Sequence, residues 1–217
     1  LPSGILATLG ISILPVISGA LAIGNTSRAQ TAALSGIRLT LYMSLPFAVA
    51  MYTLPEEILG FLFGNTASAY MLKLSAPCIV MVCLSQITAS VMQSAGAITR
   101  TVVFSFIGSA VKLTLDWVLI GKSEFNIYGS VISLNICYFI VTVLSLAGTS
   151  SALNVRYGIE DFFIKPAVCA AAMYAVIRFL CAPVTARGNA GLIFTCAVSS
   201  AVYALGLIAT GAVKLSD

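Results

Sequence analysis

The sequence has 217 residues, of which 59% are hydrophobic and only 8% carry a charge. A soluble domain of this length has about 25% charged residues, so this composition excludes the soluble class. The net charge is +4, but the basic residues are spread along the chain rather than gathered in one run. We therefore expect no nucleic-acid partner.

Seven apolar runs follow one another along the chain, each close to the roughly 20 residues that a helix needs to cross a bilayer. None of them shows the alternation of polar and apolar residues that is typical of a membrane β-strand. The sequence therefore predicts an all-α membrane protein, a bundle of about seven transmembrane helices. The predicted spans are 3–23, 37–54, 70–94, 102–120, 127–147, 163–184 and 192–213.

The segments that join the first three runs have their own predicted structure. Residues 24–36 are polar and compatible with a short stretch lying along the inner membrane surface. Residues 56–67 contain Phe61, Leu62 and Phe63, which favour a short helix in the membrane interface.

A few single residues mark features of these runs. Pro46, Pro77 and Pro166 fall within or near the start of predicted helices and are expected to kink them or to set their first turn. Arg178 lies deep in the sixth run, and its long side chain is expected to extend toward the interface. The chain starts at Leu1 without an initiator methionine, and we expect it to be part of a longer protein.

The orientation follows from the basic residues, because Lys and Arg are enriched in cytoplasmic loops. If the first helix runs from outside to inside, six basic residues fall on the cytoplasmic side and three on the outer side. The sequence therefore predicts this orientation, with the C-terminus in the cytoplasm. The cytoplasmic set is Arg28, Arg38, Arg100, Arg156, Lys165 and Lys214, and the outer set is Lys73, Lys122 and Arg187.

Polar residues recur at helical spacing in three consecutive runs. A polar group at membrane depth is costly, so it usually faces the interior of a bundle or a wet cavity. Each stripe lies on one helix face, since its members are three or four residues apart. The stripes are Gln86, Ser90 and Gln93; Ser105, Ser109, Lys112 and Asp116; and Asn135, Tyr138, Thr142 and Ser145.

Two interpretations of these stripes stay open. The hydroxyl residues are also typical of plain helix packing, in which small polar groups let helices approach or bond across an interface. Lys112 and Asp116 are one turn apart and form either a structural ion pair or part of a substrate or proton pathway. We select Gln86, Gln93, Lys112, Asp116 and Asn135 as candidate residues of a substrate cavity.

The chain lacks the residues that usually carry enzymatic or metal chemistry. It has no histidine, and its six cysteines lie inside apolar runs without a CxxC pair. Cysteine in such a place is usually a small packing residue. No hydrolase, phosphate-binding or zinc-protease motif is present. We therefore expect no enzymatic activity, no cofactor and no metal site.

Several segments together resemble a known family. The segments are SILPVISGA at 12–20, ILGFLFG at 58–64, SVMQSAG at 90–96 and VKLTLDWVLI at 111–120. In this order they resemble the second lobe of the polysaccharide-transporter and stage V sporulation protein B group. That group belongs to the multidrug/oligosaccharidyl-lipid/polysaccharide exporter superfamily.

The resemblance implies a transporter of fourteen helices in two lobes, of which the first helix here would be the eighth. Residues 1–150 would then form the core bundle of the second lobe. Residues 151–217 would add two terminal helices and a cytoplasmic tail. The implied partners are membrane lipid, the N-terminal lobe of the same protein, and a lipid-linked saccharide.

The implied activity is that of a flippase, which carries a cell-wall or polysaccharide precursor across the membrane by alternating access. One alternative is a multidrug/cation antiporter of the same superfamily. Such antiporters usually have twelve helices, and counting from an eighth helix they would end near residue 150. The other alternative is a membrane protein with a purely structural role.

The orientation can be tested with single cysteines in a variant that lacks the native ones. We expect Asn25→Cys to react with a membrane-impermeant thiol reagent only from the cytoplasmic side, and Asn65→Cys only from outside. The reverse pattern would show that the orientation and the numbering of the helices are wrong.

Overall fold

A computed structural model describes residues 2–121, 126–155, 157–158, 164–181 and 189–209. All of the regular secondary structure in these ranges is helical, which confirms the predicted all-α membrane bundle. The helices are α1 (Pro2–Ala22), α2 (Thr26–Thr53), α3 (Pro55–Phe63), α4 (Ala69–Ser94), α5 (Ile98–Ile120), α6 (Asn126–Leu153), α7 (Lys165–Ala175) and α8 (Asn189–Ala209). A π-helical segment, Val176–Cys181, continues α7 directly.

Five of the described helices, α2, α4, α5, α6 and α8, are long and apolar enough to cross a membrane. They correspond to five of the seven predicted spans. The first predicted span, 3–23, corresponds to α1, which includes the apolar stretch Ser12–Ala22. The sixth predicted span, 163–184, contains α7 and its π-helical continuation, and its residues after Cys181 lie outside the described ones.

The structure corrects the predicted start of the second helix. Residues 24–36 do not form a separate surface stretch, because α2 begins at Thr26 and continues to Thr53. The side chain of Asn25 accepts a hydrogen bond of 3.0 Å from the Arg28 backbone N–H, as a helix-capping residue does. Ala29 and Ala33 then lie one turn apart and are fully buried, so this part of α2 has a packed apolar face.

A short helix, α3, is present where the sequence predicts one, and its position in the membrane interface stays a prediction. Pro55 occupies its first turn, and Glu56 and Glu57 follow there, where the helix dipole favours carboxylates. Gly64 ends the helix with φ +66°, a conformation that favours glycine. The helix is therefore three turns or less, with the chain leaving it before the predicted limit at residue 67.

The chain forms two compact units. The first comprises Leu1–Ser44 and Pro77–Tyr157, and the second comprises Leu45–Ala76 and Gly158–Asp217. The two breaks within helices fall beside Pro46 in α2 and at Pro77 in α4. Proline lacks a backbone N–H and cannot complete the helical hydrogen bonds at these points. The division at residue 150 into a core bundle and two terminal helices stays a prediction.

An apolar cluster holds one end of the first unit together. Ile17 and Ala20 of α1 pack there with Ala29 and Ala33 of α2, with Val91 of α4, and with Leu153 and Val155 at the end of α6. The Gln30 side chain donates a hydrogen bond of 2.7 Å to the Leu153 carbonyl. Apolar burial and a satisfied carbonyl at the end of α6 together fix this helix end.

Tyr157, which follows α6, packs against the same cluster. Its hydroxyl donates a hydrogen bond of 3.1 Å to the Leu146 carbonyl. Burial raises the pKa of Tyr157 to about 12, so the phenol keeps the proton that this hydrogen bond requires.

Helices α5 and α6 approach closely because glycine lies between them. Gly108 of α5 is buried, and a Cβ atom there would overlap Val141 and lie 3.3 Å from the Cys137 Sγ of α6. Gly129 of α6 shows the same relation to Leu119, since a Cβ atom added at Gly129 would lie 2.9 Å from the Leu119 Cβ. Small residues at helix crossings are typical of membrane bundles, where close backbone approach supplies the packing energy.

We predict that Gly108→Ala destabilises the protein. The added methyl group would overlap the side chain of Val141 and push α5 and α6 apart. Overpacking of this kind costs about 1–3 kcal/mol. Gly19→Ala is the matched control, because no atom lies within 4 Å of a Cβ at that helical position. Thermal unfolding in detergent should show a lower Tm for the first variant only. Equal Tm values would contradict the close approach.

Candidate functional site

The first unit contains a cavity of about 360 Å³ between α4, α5 and α6. Its walls combine hydroxyl, amide, phenol and ammonium groups with a few apolar side chains. The lining residues are Ser85, Gln86 and Ala89 of α4; Thr101, Ser105, Ser109 and Lys112 of α5; and Leu134, Cys137, Tyr138, Val141 and Ser145 of α6. A volume of this size is at the lower end of the range of pockets that bind small molecules.

Lys112 supplies the positive charge of this cavity. Its Nζ donates a hydrogen bond of 2.5 Å to Asp116 Oδ2, one turn further along α5, which confirms the predicted pair. The two side chains are 31% and 18% exposed, so the pair is only partly shielded from its surroundings. The other carboxylate oxygen, Asp116 Oδ1, is buried and has no hydrogen-bond partner within the described residues.

The hydroxyl groups of the cavity bond first to their own helices. Ser85 Oγ donates to the Val82 carbonyl at 2.8 Å, and Ser109 Oγ donates to the Ser105 carbonyl at 2.9 Å. Once its proton is used in this way, a hydroxyl oxygen still offers its lone pairs to a ligand. These serines can therefore accept hydrogen bonds, whereas Lys112, Gln86 and Tyr138 can donate them.

The structure brings some of the five candidate residues together and leaves others apart. Gln86 and Lys112 line the cavity, whereas Asp116 is not among the lining residues and bonds to Lys112. Gln93 is exposed and is not among the lining residues. Asn135 also lies outside the lining, and its Nδ2 donates to the Val131 carbonyl of its own helix at 2.8 Å. A binding role for these five residues stays a prediction.

Sequence reasoning missed several residues of the cavity. Thr101 could have been found, because it lies one turn before Ser105 and extends the α5 stripe. Ser85 directly precedes Gln86, so it lies at the edge of the polar face that the spacing predicts. Cys137 and Val141 carry no polar signal in the sequence, and only the packing of α6 against α5 places them at the wall.

One residue of the stripes supports the packing interpretation instead. Thr142 of α6 donates a hydrogen bond of 2.9 Å to the Met81 carbonyl of α4 and is buried. A hydroxyl that bonds across a helix interface in this way holds two helices together. The α6 stripe thus serves both purposes, with Thr142 in the helix contact and Tyr138 and Ser145 at the cavity.

The cavity offers groups that can contact a polar ligand. Within the described residues, no group of three or more His, Cys, Asp or Glu side chains could hold a metal ion. The lining offers one ammonium group, several hydroxyl oxygens and one amide. Such a set suits a ligand that carries anionic oxygen and hydroxyl groups.

Comparison with known proteins agrees with this picture. The family model named MatE matches residues 3–118, which is more than half of the chain. The chain belongs to the MatE family. This finding confirms the resemblance to the exporter superfamily that the sequence segments indicated.

A relative of this chain is stage V sporulation protein B of Bacillus subtilis (strain 168). It is similar to this chain over 221 aligned residues, with 23% identity. The alignment covers 100% of this chain but 42% of the relative. The chain thus spans less than half the length of this relative.

We predict that Lys112→Met alone destabilises the protein. It leaves the Asp116 carboxylate without a partner, and an unpaired, partly buried polar group costs on the order of 1–3 kcal/mol. The double variant Lys112→Met/Asp116→Leu removes both charges and should recover expression and Tm. Arg100→Met, which removes an exposed cation near the start of α5, should leave both unchanged. A Lys112→Met protein as stable as the unchanged one would show that the pair does not contribute to stability.

Proposed function

We propose that this chain is one lobe of a flippase, which moves a lipid-linked oligosaccharide or cell-wall precursor across the cytoplasmic membrane by alternating access. Membership of the MatE family and the similarity to a sporulation protein along the whole chain support the proposal. The N-terminal lobe of the carrier would come from the rest of a longer protein. The 42% coverage of the relative is in keeping with that arrangement.

The proposal is supported mainly by the position of Lys112 at the wall of a hydroxyl-lined cavity between membrane helices. A lipid-linked saccharide joins its sugar to the lipid through phosphate or pyrophosphate. An ammonium group recognises such an anion, and the serine oxygens accept hydrogen bonds from sugar hydroxyls. No covalent step is required, because the carrier only moves its cargo from one side of the membrane to the other.

The pair of Lys112 and Asp116 gives the cavity a way to respond to an anionic cargo. In the structure the ammonium bonds to its own helix neighbour. A phosphate oxygen entering the cavity would compete with Asp116 for that ammonium group. The released carboxylate would then require another partner, so binding couples to a change in the charge contacts of α5.

The multidrug/cation antiporter is the second candidate function, and one specific observation favours it. Asp116 Oδ1 is buried without a hydrogen-bond partner in the described part of the chain. A cation or a proton could bind there, and such a site is what an ion-coupled antiporter needs. The two functions make opposite demands on the cargo, since one carries an anion and the other carries cations.

Transport in proteoliposomes separates these functions. We expect the protein to move a fluorescent undecaprenyl-pyrophosphate-linked saccharide across the membrane, and not to expel a cationic dye when a sodium or proton gradient is applied. Dye efflux that depends on the gradient, without movement of the lipid-linked saccharide, would establish the antiporter instead.

The double variant Lys112→Met/Asp116→Leu tests the role of the cavity in the same assay. We expect a folded protein whose saccharide transport falls by about tenfold or more, because one hydrogen bond to a charged group contributes on the order of tenfold in binding. Thr114→Val is the control, since Thr114 lies on the same helix, is exposed and does not line the cavity. Full transport by the double variant would show that Lys112 does not contact the cargo.

A further inference from the structure

The second unit contains its own cavity, of about 330 Å³, where α2 ends and α4 begins. Charged residues of both signs line it. Glu56 and Glu57 come from the first turn of α3, Lys73 comes from α4, and Arg178 comes from the π-helical segment after α7. We refer to these four residues with Tyr52 and Tyr70, which also line the wall, as the charged cavity.

The charges of this cavity balance, with two carboxylates and two cations. A simple anion or a simple cation would meet repulsion from half of the charged wall. A ligand that carries one positive and one negative group can satisfy both kinds of residue at once. Glu56 and Glu57 both lie in the first turn of α3, where the helix dipole favours negative charge.

One aromatic residue of the cavity, Tyr52, contacts two neighbouring side chains. The Lys73 ammonium lies over the Tyr52 ring, 5.1 Å from its centre. The same ring packs in a tilted arrangement against Tyr174, with 6.3 Å between the ring centres. The contact with Tyr52 holds Lys73 in place at the cavity wall, as a cation–π interaction does.

The surroundings of the cavity are those of a membrane interface. Phe61, Leu62 and Phe63 of α3 are 47%, 52% and 75% exposed. A short helix with exposed apolar residues beside charged ones is typical of a segment at the boundary between headgroups and acyl chains. Arg178, for which the sequence predicts a side chain extended toward the interface, is exposed and lies at this wall.

We propose that the charged cavity binds the headgroup of phosphatidylethanolamine from the surrounding bilayer. The ethanolamine ammonium donates hydrogen bonds to Glu56 and Glu57, and the phosphate accepts them from Lys73 and Arg178. The acyl chains remain in the bilayer. This site is separate from the cavity that contains Lys112, and its occupation does not depend on which cargo the protein carries.

The experiment measures lipid retention by the purified protein after exchange in nanodiscs that contain phosphatidylethanolamine, phosphatidylcholine and phosphatidylglycerol with identical acyl chains. Native mass spectrometry counts each bound lipid. We expect phosphatidylethanolamine to be retained about tenfold more than phosphatidylcholine, whose quaternary ammonium has no N–H to donate to a carboxylate. Monomethyl and dimethyl ethanolamine lipids should fall between the two. Equal retention of all three headgroups would overturn the proposal without bearing on the transported cargo.

Two variants connect the preference to the cavity. Glu56→Gln/Glu57→Gln should reduce retention of phosphatidylethanolamine to the level of phosphatidylcholine, and Lys73→Gln should reduce the retention of both. Arg100→Gln, which removes an exposed cation from the other unit, should have no effect. A headgroup preference that survives the double glutamate change would overturn the assignment to this cavity. The preference of the unchanged protein tests the proposal even if a variant fails to fold.

Discussion

The cost of an unsatisfied polar group in the hydrocarbon core is the constraint on which this structure depends. Helices satisfy the backbone, and most of the hydroxyl side chains then bond to carbonyls of their own helix. Thr88 and Ser44 are fully buried, yet each donates to a carbonyl of its own helix, at 2.7 and 3.1 Å. Such a residue can sit in any helix contact without a partner on the neighbouring helix, which explains why a polar stripe alone does not identify a binding site.

Lys112 and Asp116 are different, because an ionised side chain cannot satisfy itself on its own backbone. The pair neutralises its charge along α5, and this arrangement leaves one carboxylate oxygen unbonded within the described residues and one ammonium group at a cavity wall. We propose that this ammonium group and the serine oxygens around it let the cavity bind a polar ligand. The close approach of α5 and α6 at Gly108 brings together the two walls of the cavity that these helices form.

The sequence predicted the class of fold and the position of most helices, because apolar runs of membrane length have few alternatives. The prediction for residues 24–36 was wrong, because the polar residues there gave no sign of the buried Ala29 and Ala33 or of the helix that starts at Thr26. The sequence placed Gln86 and Lys112 at the cavity but could not separate them from Gln93 and Asn135, since all four obey the same spacing. Only the packing of three helices decides which turn of a stripe meets a cavity. The π-helical segment that contains Arg178 had no signal in the apolar pattern at all.

We propose that the polar faces of α4, α5 and α6 enclose a water-accessible cavity, and thiol labelling at two adjacent residues of α5 can show whether they do. Ser109 lines the cavity, whereas Ala110, at nearly the same depth, lies on a different face of α5 that is expected to meet lipid. In a variant without native cysteines, Ser109→Cys should react with a small, charged thiol reagent and Ala110→Cys should remain largely unmodified. Equal reaction at the two positions, or faster reaction at Ala110→Cys, would show that the polar faces do not enclose a water-accessible cavity.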